Sequence, residues 1–353
     1  MFQYKEIQRT PLEKLGKLGL IKYLTQCISV THHTTVKGIG DDAAVMRFAN
    51  KQVVVSTDML LEGIHFNLAY TPLIHLGYKA ITINLSDIYA MNATPNQIIV
   101  SVAVSNRFPV EALKTFYEGM MRACKNYNVD LVGGDTSSSN TGLVISVTAI
   151  GQADEKDIVY RKGAQVNDLL VVSGDLGGAY LGLQVLEREN EVFKVNPNMQ
   201  PDLVGYEYLI ERQLKPEARK DIPELLKELG IKPSAMIDIS NGLASEILHL
   251  CDQSQLGCRL FEEKIPLDPQ VLTTAEMFRI NPIIAALNGG EDYELLFTVP
   301  LAYHEQIKGH RQLSLIGHMT TKEKGAQLVS QSDSLIPLTA QDWDTFLKKN
   351  PTS

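Results

Sequence analysis

Short runs rich in β-branched residues alternate along the chain with longer segments of helical periodicity, and this alternation narrows the possible folds more than any other feature. The short runs predict strands at 52–57, 97–105, 130–132, 142–150, 168–173, 236–239 and 293–299. The longer segments predict helices at 75–91, 110–127, 177–189, 205–215, 222–229 and 241–251. This order is typical of an α/β or α+β protein and excludes a helical bundle or a β-sandwich.

The length of the chain indicates two domains. At roughly 100 to 200 residues per domain, 353 residues suffice for two separate cores. A polar stretch at 152–168 separates two predicted strands, so we place the junction near Gly151, with domains at 1–151 and 152–353.

Charge and hydropathy exclude several classes of partner. The chain carries 33 basic and 41 acidic side chains, a formal net charge of −8, and no Lys/Arg run longer than a pair such as Lys348 and Lys349. We therefore expect no nucleic-acid partner and no anionic membrane surface. No apolar run approaches the roughly 20 residues needed to cross a bilayer, and the charged N-terminus does not look like a signal peptide, so we expect a cytoplasmic protein.

Four cysteines without metal-site spacing are expected to be reduced and mostly buried.

Acidic residues beside small residues recur just after strands or in turns. They are Gly40-Asp41-Asp42, Ser56-Thr57-Asp58, Asn84-Leu85-Ser86-Asp87, Gly133-Gly134-Asp135-Thr136 and Asp238-Ile239-Ser240-Asn241. Each one alone is better explained as a turn or a helix cap. As a set they favour carboxylate ligands for Mg²⁺, because a carboxylate at the edge of an apolar core needs a partner.

The usual nucleotide-binding motifs are absent from the sequence: it has no GxxxxGK[ST] loop, no GxGxxG fingerprint and no HRD or DFG triplet. The segment Ser173-Gly174-Asp175-Leu176-Gly177-Gly178 leads from a predicted strand into a predicted helix. Its amides could hold a phosphate, or the segment could be a plain tight turn.

Five segments in order resemble the thiamine-monophosphate kinase family. They are Gly38-Ile39-Gly40-Asp41-Asp42-Ala43-Ala44, Ser56-Thr57-Asp58 with Gly63-Ile64-His65-Phe66, Asn84-Leu85-Ser86-Asp87, Gly133-Gly134-Asp135-Thr136 and Gly289-Gly290-Glu291-Asp292-Tyr293-Glu294-Leu295. The resemblance covers about residues 37 to 346. This family is related to the aminoimidazole ribonucleotide and selenophosphate synthetases. The resemblance implies a two-domain α/β fold and a homodimer in which the N-terminal sheets join into a barrel. It also implies an N-terminal domain that binds ATP and Mg²⁺ and forms the dimer.

The resemblance also implies roles for individual residues. The Mg²⁺ ligands would be Asp42, Ser56, Thr57, Asp58, Asp87, Asp135, Asp238 and the residue at position 241, where Asn241 replaces a carboxylate of the family pattern. ATP would be bound by Tyr117, Gly134, Asp135, Arg161 and Ser240, and thiamine monophosphate by His65, Glu291 and Trp343. The residues themselves leave structural alternatives open: Tyr117 as core, Arg161 as a solvated residue and Trp343 as an anchor of the tail.

The expected reaction is phosphorylation of thiamine monophosphate by ATP through direct transfer. The two substrates bring about five to six negative charges together, so an acidic protein needs several Mg²⁺ ions, and no general acid or base is required. One alternative is a related ATP-dependent synthetase, although Cys27 stands in partly apolar surroundings better suited to packing than to reaction. A second alternative is a catalytically silent nucleotide- or thiamine-binding module.

Overall fold

A computed structural model of the chain describes residues 23–37, 45–46 and 52–340. The chain divides into two compact units. The first comprises Met1–Ile88 and Ala93–Lys156, and the second comprises Tyr89–Asn92 and Asp157–Ser353.

The first unit is built on a four-stranded sheet. Its strands, β3 (Gln52–Leu61), β4 (Thr94–Val104), β5 (Asp130–Ser138) and β6 (Val144–Ala153), lie in the order β3-β6-β4-β5. Strands β4 and β5 are parallel and the other pairs are antiparallel. Two short strands, β1 (Thr35–Lys37) and β2 (Val45–Met46), form a separate antiparallel pair.

Two long helices contribute large side chains to the core of the first unit. They are α1 (Leu73–Ala90) and α2 (Val110–Tyr127), and Ile81, Leu85, Phe116 and Met120 on them are fully buried. The helices approach closely at Gly77, where a Cβ atom would lie 2.0 Å from the carbonyl oxygen of Phe116. Only glycine permits this approach of two backbones.

The second unit is built on a seven-stranded sheet in the order β13-β12-β9-β11-β7-β10-β8. Only β9 and β12 are parallel among these pairs. The strands are β7 (Leu169–Ser173), β8 (Ala235–Asp238), β9 (Gly257–Phe261), β10 (Leu295–Val299), β11 (Leu313–Thr320), β12 (Ala326–Val329) and β13 (Leu335–Pro337).

Helices and loops cover both faces of the sheet at β7 and β10, so these two strands are buried throughout. Leu170 and Val172 of β7 belong to one core cluster and Leu169 and Val171 to another. The helices are α3 (Gly178–Val195), α4 (Glu207–Leu214), α5 (Asp221–Glu228), α6 (Leu243–Ser254), α7 (Pro269–Phe278), α8 (Pro282–Asn288) and α9 (His304–Ile307). Helices α7 and α8 begin with proline after an Asp or Asn cap whose side chain accepts a backbone N–H.

The mixed α/β prediction is confirmed, and each predicted strand and helix corresponds to an observed one. Strands β1, β2, β9 and β11–β13 and helices α7–α9 were missed. Strand β5 continues to Ser138, past its predicted end, because its ladder with β4 uses backbone groups that Gly133 and Gly134 also supply.

Other expectations concern closure, membranes and cysteines. The four-stranded sheet is not closed, since β3 and β5 are its edges. None of the helices in the described ranges is long and apolar enough to cross a membrane. Three of the four cysteines are buried, so the expectation of mostly buried cysteines is confirmed, and Cys27 is the exposed one.

Candidate functional site

The first group of predicted site residues forms what we call the Asp58 cluster: Ser56, Asp58, Asn84 and Asp87. Because side chains alternate along a strand, Ser56 and Asp58 share one face of β3. The Ser56 hydroxyl donates to Asp87 Oδ2 at 2.5 Å, and the Asp58 N–H donates to Asn84 Oδ1 at 3.1 Å. Asn84 is itself buried and donates to the Ala80 carbonyl at 2.9 Å, which fixes its orientation.

The electrostatics of the Asp58 cluster favour a cation. Partial burial, and then repulsion by Asp87, raise the pKa of Asp58 to about 6. A positive ion between the two carboxylates would reverse this effect, because it stabilises both ionised forms.

Thr57 lies on the opposite face of β3 and is exposed. Its hydroxyl donates to the Val147 carbonyl at 3.0 Å and lies 3.0 Å from the Thr148 hydroxyl. The structure therefore separates the Thr57 side chain from Ser56 and Asp58.

Three of the predicted ATP residues line one small cleft, the Tyr117 cleft, of about 50 Å³; they are Tyr117, Gly134 and Asp135. Tyr117 is 8% exposed, and burial raises its pKa to about 12. A Cβ atom at position 134 would lie 1.7 Å from the Val100 carbonyl oxygen, so this wall of the cleft requires glycine.

The strand register separates the Asp58 cluster from the Tyr117 cleft. Asp58 pairs with Val147, Val147 with Val100, and Val100 with Gly134. Three strand spacings correspond to about 14 Å, with Asp58 on one edge strand and Asp135 on the other. Accordingly, no three His, Cys, Asp or Glu residues in the described part of the chain are grouped closely enough to hold a metal.

His65 lies in the turn after β3 and is exposed. The Leu61 N–H donates to His65 Nδ1 at 3.0 Å. The neutral ring therefore carries its proton on Nε2, which leaves a donor for an anionic or carbonyl group.

In the second unit, two loops interlock and bring four predicted residues near each other. Asp238 ends β8, and the following loop carries Ser240 and Asn241. The Glu291 N–H donates to the Ser240 carbonyl at 2.8 Å, which joins this loop to the one before β10. Glu291 and Tyr293 have φ values of 59° and 52°, a left-handed conformation that is costly for such residues and is often found at functional sites.

Asn241 is held by a residue that the sequence reasoning missed. Its backbone N–H and its Nδ2 both donate to Glu246 Oε1 at 3.1 Å, and Nδ2 also lies 3.1 Å from the Ser240 hydroxyl. Glu246 is 2% exposed, on the first turn of α6. An acidic residue on the apolar face of a predicted helix was the available signal.

Glu291 has a similar partner, also missed. Gln213 of α4 is 6% exposed, and its Nε2 donates to Glu291 Oε2 at 2.9 Å. This bond fixes one oxygen of the Glu291 carboxylate.

The segment 173–178 was considered as a phosphate-binding loop, but backbone N–H groups at the start of the following helix already have acceptors within the chain. The N–H groups of Gly177 and Ala179 donate to the buried Asp292 carboxylate at 2.8 and 3.3 Å. Arg212 lies 3.6 Å from Asp292 and 3.0 Å from Glu294. The amides at this helix start therefore serve as an internal cap rather than as a phosphate site.

Three further predicted residues complete the set. Arg161 belongs to the second unit and is exposed. Asp42 and Trp343 lie outside the described residues.

The N-terminal part of the chain, with its mixed α/β fold and its carboxylates near strand ends, identifies the class of protein. Residues 40–153 match the family model described as AIR synthase related protein, N-terminal domain.

Comparison with whole proteins narrows this class. The chain is 36% identical over 289 residues to the thiamine-monophosphate kinase of Aquifex aeolicus (strain VF5), covering 82% of this chain and 87% of the relative. It is 33% identical over 324 residues to that of Bacillus subtilis (strain 168), covering 89% and 95%. The solved structure of AaThiL complexed with AMPPCP and TMP aligns with a TM-score of 0.69 and 32% identity, covering 92% of this chain and 96% of the other. The chain belongs to the thiamine-monophosphate kinase family.

Proposed function

We propose that this protein transfers the γ-phosphoryl group of ATP to the phosphate of thiamine monophosphate. The observation that carries the proposal is the Asp58 cluster, a pair of carboxylates arranged for a cation in a chain of this family. The AaThiL complex with AMPPCP and TMP supports the same pair of substrates.

The residues of the Asp58 cluster fit a hard cation. Two carboxylates and a serine hydroxyl supply oxygen ligands, and the raised pKa of Asp58 reflects its burial first and the negative charge of Asp87 second. Mg²⁺ held there would offset phosphate charge and orient the phosphates. We propose Asp42, Thr57, Asp135, Asp238 and Asn241 as the remaining ligands of several Mg²⁺ ions.

In the proposed transfer, an oxygen of the acceptor phosphate forms a bond to the γ-phosphorus while the bond from that phosphorus to the β,γ-bridging oxygen breaks. The products are thiamine diphosphate and ADP. The acceptor oxygen is already largely ionised near neutral pH, so no side chain needs to remove a proton. The protein contributes by positioning the reacting atoms in line.

We assign substrate contacts from the family pattern. Nucleotide contacts would fall to Tyr117, Gly134, Asp135, Arg161 and Ser240. His65, Glu291 and Trp343 would bind thiamine monophosphate. The Nε2 donor of His65 and the fixed carboxylate of Glu291 suit polar groups of the acceptor.

We also propose that the protein is a homodimer in which the two N-terminal sheets join into a barrel. Strand β3 is an edge strand whose outer face carries Val53, Val55 and Met59, which are 44%, 59% and 54% exposed. An exposed apolar edge strand favours pairing with another chain. A second copy would also bring an edge of its sheet to the Asp58 cluster. In this proposal the domain at 1–151 binds ATP and Mg²⁺ and forms the dimer, and the domain at 152–353 completes the protein.

The test is a coupled assay of ADP release with ATP, Mg²⁺ and a series of acceptors, with thiamine diphosphate measured by chromatography. Thiamine monophosphate should be the preferred acceptor, and Asp58→Asn should lower turnover at least about 100-fold. Asp333→Asn, at an exposed turn, is the matched control and should retain activity. Binding of both substrates without ADP release would instead identify a silent binding module.

A further inference from the structure

The second unit contains a cavity that the proposed reaction does not use. It has a volume of about 350 Å³ and lies beside Leu169, Leu301 and His318. Leu169 begins β7, and Leu301 follows the end of β10. The loops carrying Ser240 and Glu291 adjoin the other ends of the same sheet. A five-residue strand spans about 16 Å, so this cavity is separate from the candidate site.

One side of the cavity is apolar. Leu169, Leu315, Leu301 and the ring of Phe261 form this wall. Leu301 is 59% exposed, which leaves the wall open to a ligand from solvent. A volume of this size suits a small molecule with a flat or aliphatic body.

The other side of the cavity is polar and carries one lysine and two histidines. Its charged or titratable lining groups are Lys264, His304 and His318, with no carboxylate among the lining residues. The Lys264 ammonium lies 4.7 Å from the centroid of the Phe261 ring, and the His318 ring lies 5.9 Å from it. Within the ranges that the structure describes, Lys264 forms no ion pair with an acidic residue.

The charges around His318 are also positive. Burial, followed by the charges of Arg259, Lys324 and Lys264, lowers the pKa of His318. The Arg259 guanidinium donates to the carbonyls of Cys258 and Lys324 at 3.2 and 3.3 Å, so these bonds leave its charge in place. The neighbouring carboxylates, Glu262, Glu263, Glu305 and Glu323, do not line the cavity, although Glu305 Oε1 lies 2.7 Å from Nδ1 of the lining residue His304.

We propose that this cavity is a second ligand site for a small organic anion, whose phosphate or carboxylate is held by Lys264 and His318 and whose apolar body lies against Phe261 and Leu301. A charged group beside an apolar wall recognises both parts of such a ligand. An inorganic anion would use only the first contact, and a neutral ring only the second.

The test follows the histidine ring signals by NMR while phenyl phosphate, benzoate or inorganic phosphate is added. A His318→Gln variant assigns the His318 signal among the 8 histidines. Phenyl phosphate or benzoate should shift His318 saturably with a Kd of about 1 mM, and inorganic phosphate should bind at least tenfold more weakly. The stronger of the two organic probes distinguishes a phosphate from a carboxylate site.

A charge-reversal pair completes the test. Lys264→Glu should weaken binding of the organic anion about tenfold. Lys227→Glu makes the same change at an exposed lysine of α5 outside the cavity and should leave binding unchanged. The proposal is overturned if His318 shows no saturable shift up to about 10 mM ligand, if only His65 responds, or if both variants bind equally.

Discussion

The contact between Asn241 and Glu246 predicts the outcome of restoring a carboxylate at position 241. In the Asn241→Asp variant, a carboxylate oxygen would replace Nδ2, which lies 3.1 Å from Glu246 Oε1. The charge-assisted hydrogen bond would be lost and two negative groups would meet instead. Since Glu246 is only 2% exposed, solvent would screen the repulsion poorly.

The magnitude follows from this geometry. At 3.1 Å and an effective dielectric constant of about 20, two unit charges repel by about 5 kcal/mol, which spreading over two oxygens reduces to about 4 kcal/mol. The two carboxylates could instead share one proton, and taking up that proton at pH 7.5 would cost a similar free energy, so the loss of stability cannot exceed about this value. We therefore expect a loss of about 3 to 4 kcal/mol without metal, which is roughly 10 °C in Tm for a unit of this size.

The double variant Asn241→Asp/Glu246→Gln separates repulsion from metal binding. The glutamine amide introduced at position 246 would donate to the carboxylate introduced at position 241, so most of the lost Tm should return. The new carboxylate should then lower the Mg²⁺ concentration that gives half of the maximal rise in Tm about tenfold relative to wild type. Melting curves and Mg²⁺ titrations of wild type, both single variants and the double variant provide the measurement. A single Asn241→Asp variant that melts within about 1 °C of wild type without metal would rule out the repulsion with Glu246.

Three other predictions concern stability. Burial raises the pKa of Asp58 to about 6, so between about pH 4 and 6 the folded state holds a proton that the unfolded chain releases. In EDTA, the stability of wild type relative to Asp58→Asn should therefore fall as the pH rises through this range. A difference in Tm that does not change with pH would contradict this. Gly134→Ala should lower stability by about 2 kcal/mol or more and raise the KM for ATP, because the new Cβ would collide with the Val100 carbonyl oxygen. Gly133→Ala should be nearly neutral, because its Cβ would meet nothing within 4 Å. Equal melting temperatures for the two variants would contradict this. Asp292→Ala should cost about 3 kcal/mol by urea unfolding, because two helix amides lose their acceptor and Arg212 loses one of its two carboxylates. A loss below about 1 kcal/mol would mean that the amides find another acceptor.

Much of the Asp58 cluster could be predicted from local pattern. The two-residue period of β3 places Ser56 and Asp58 on one face, and the helical spacing of α1 relates Asn84 to Asp87. A polar residue in so apolar a helix indicates a partner, and the structure supplies Ser56 and the Asp58 backbone. The same reasoning could not predict Thr57's separation from them, since a motif of three adjacent residues was read as one site.

The second unit shows where local pattern fails. Asp292 stands next to Glu291 in a motif that was expected to bind substrate. It instead caps a helix that begins far earlier in the chain, since Gly177 and Asp292 are 115 residues apart. Likewise, the position of Glu246 on the apolar face of a helix indicates a partner, but nothing local shows that this partner is the loop at Asn241.

Local sequence pattern was enough to predict most of the helices and strands and the direction in which their side chains point, because these depend on periods of 2 and 3.6 residues within one segment. It could not predict that β7 lies between β10 and β11, or that Asp58 and Asp135 lie on opposite edges of one sheet. Strand order and the partner of a buried charge depend on groups far apart in the chain. Their contacts form only when the apolar faces pack, and no local period records that arrangement.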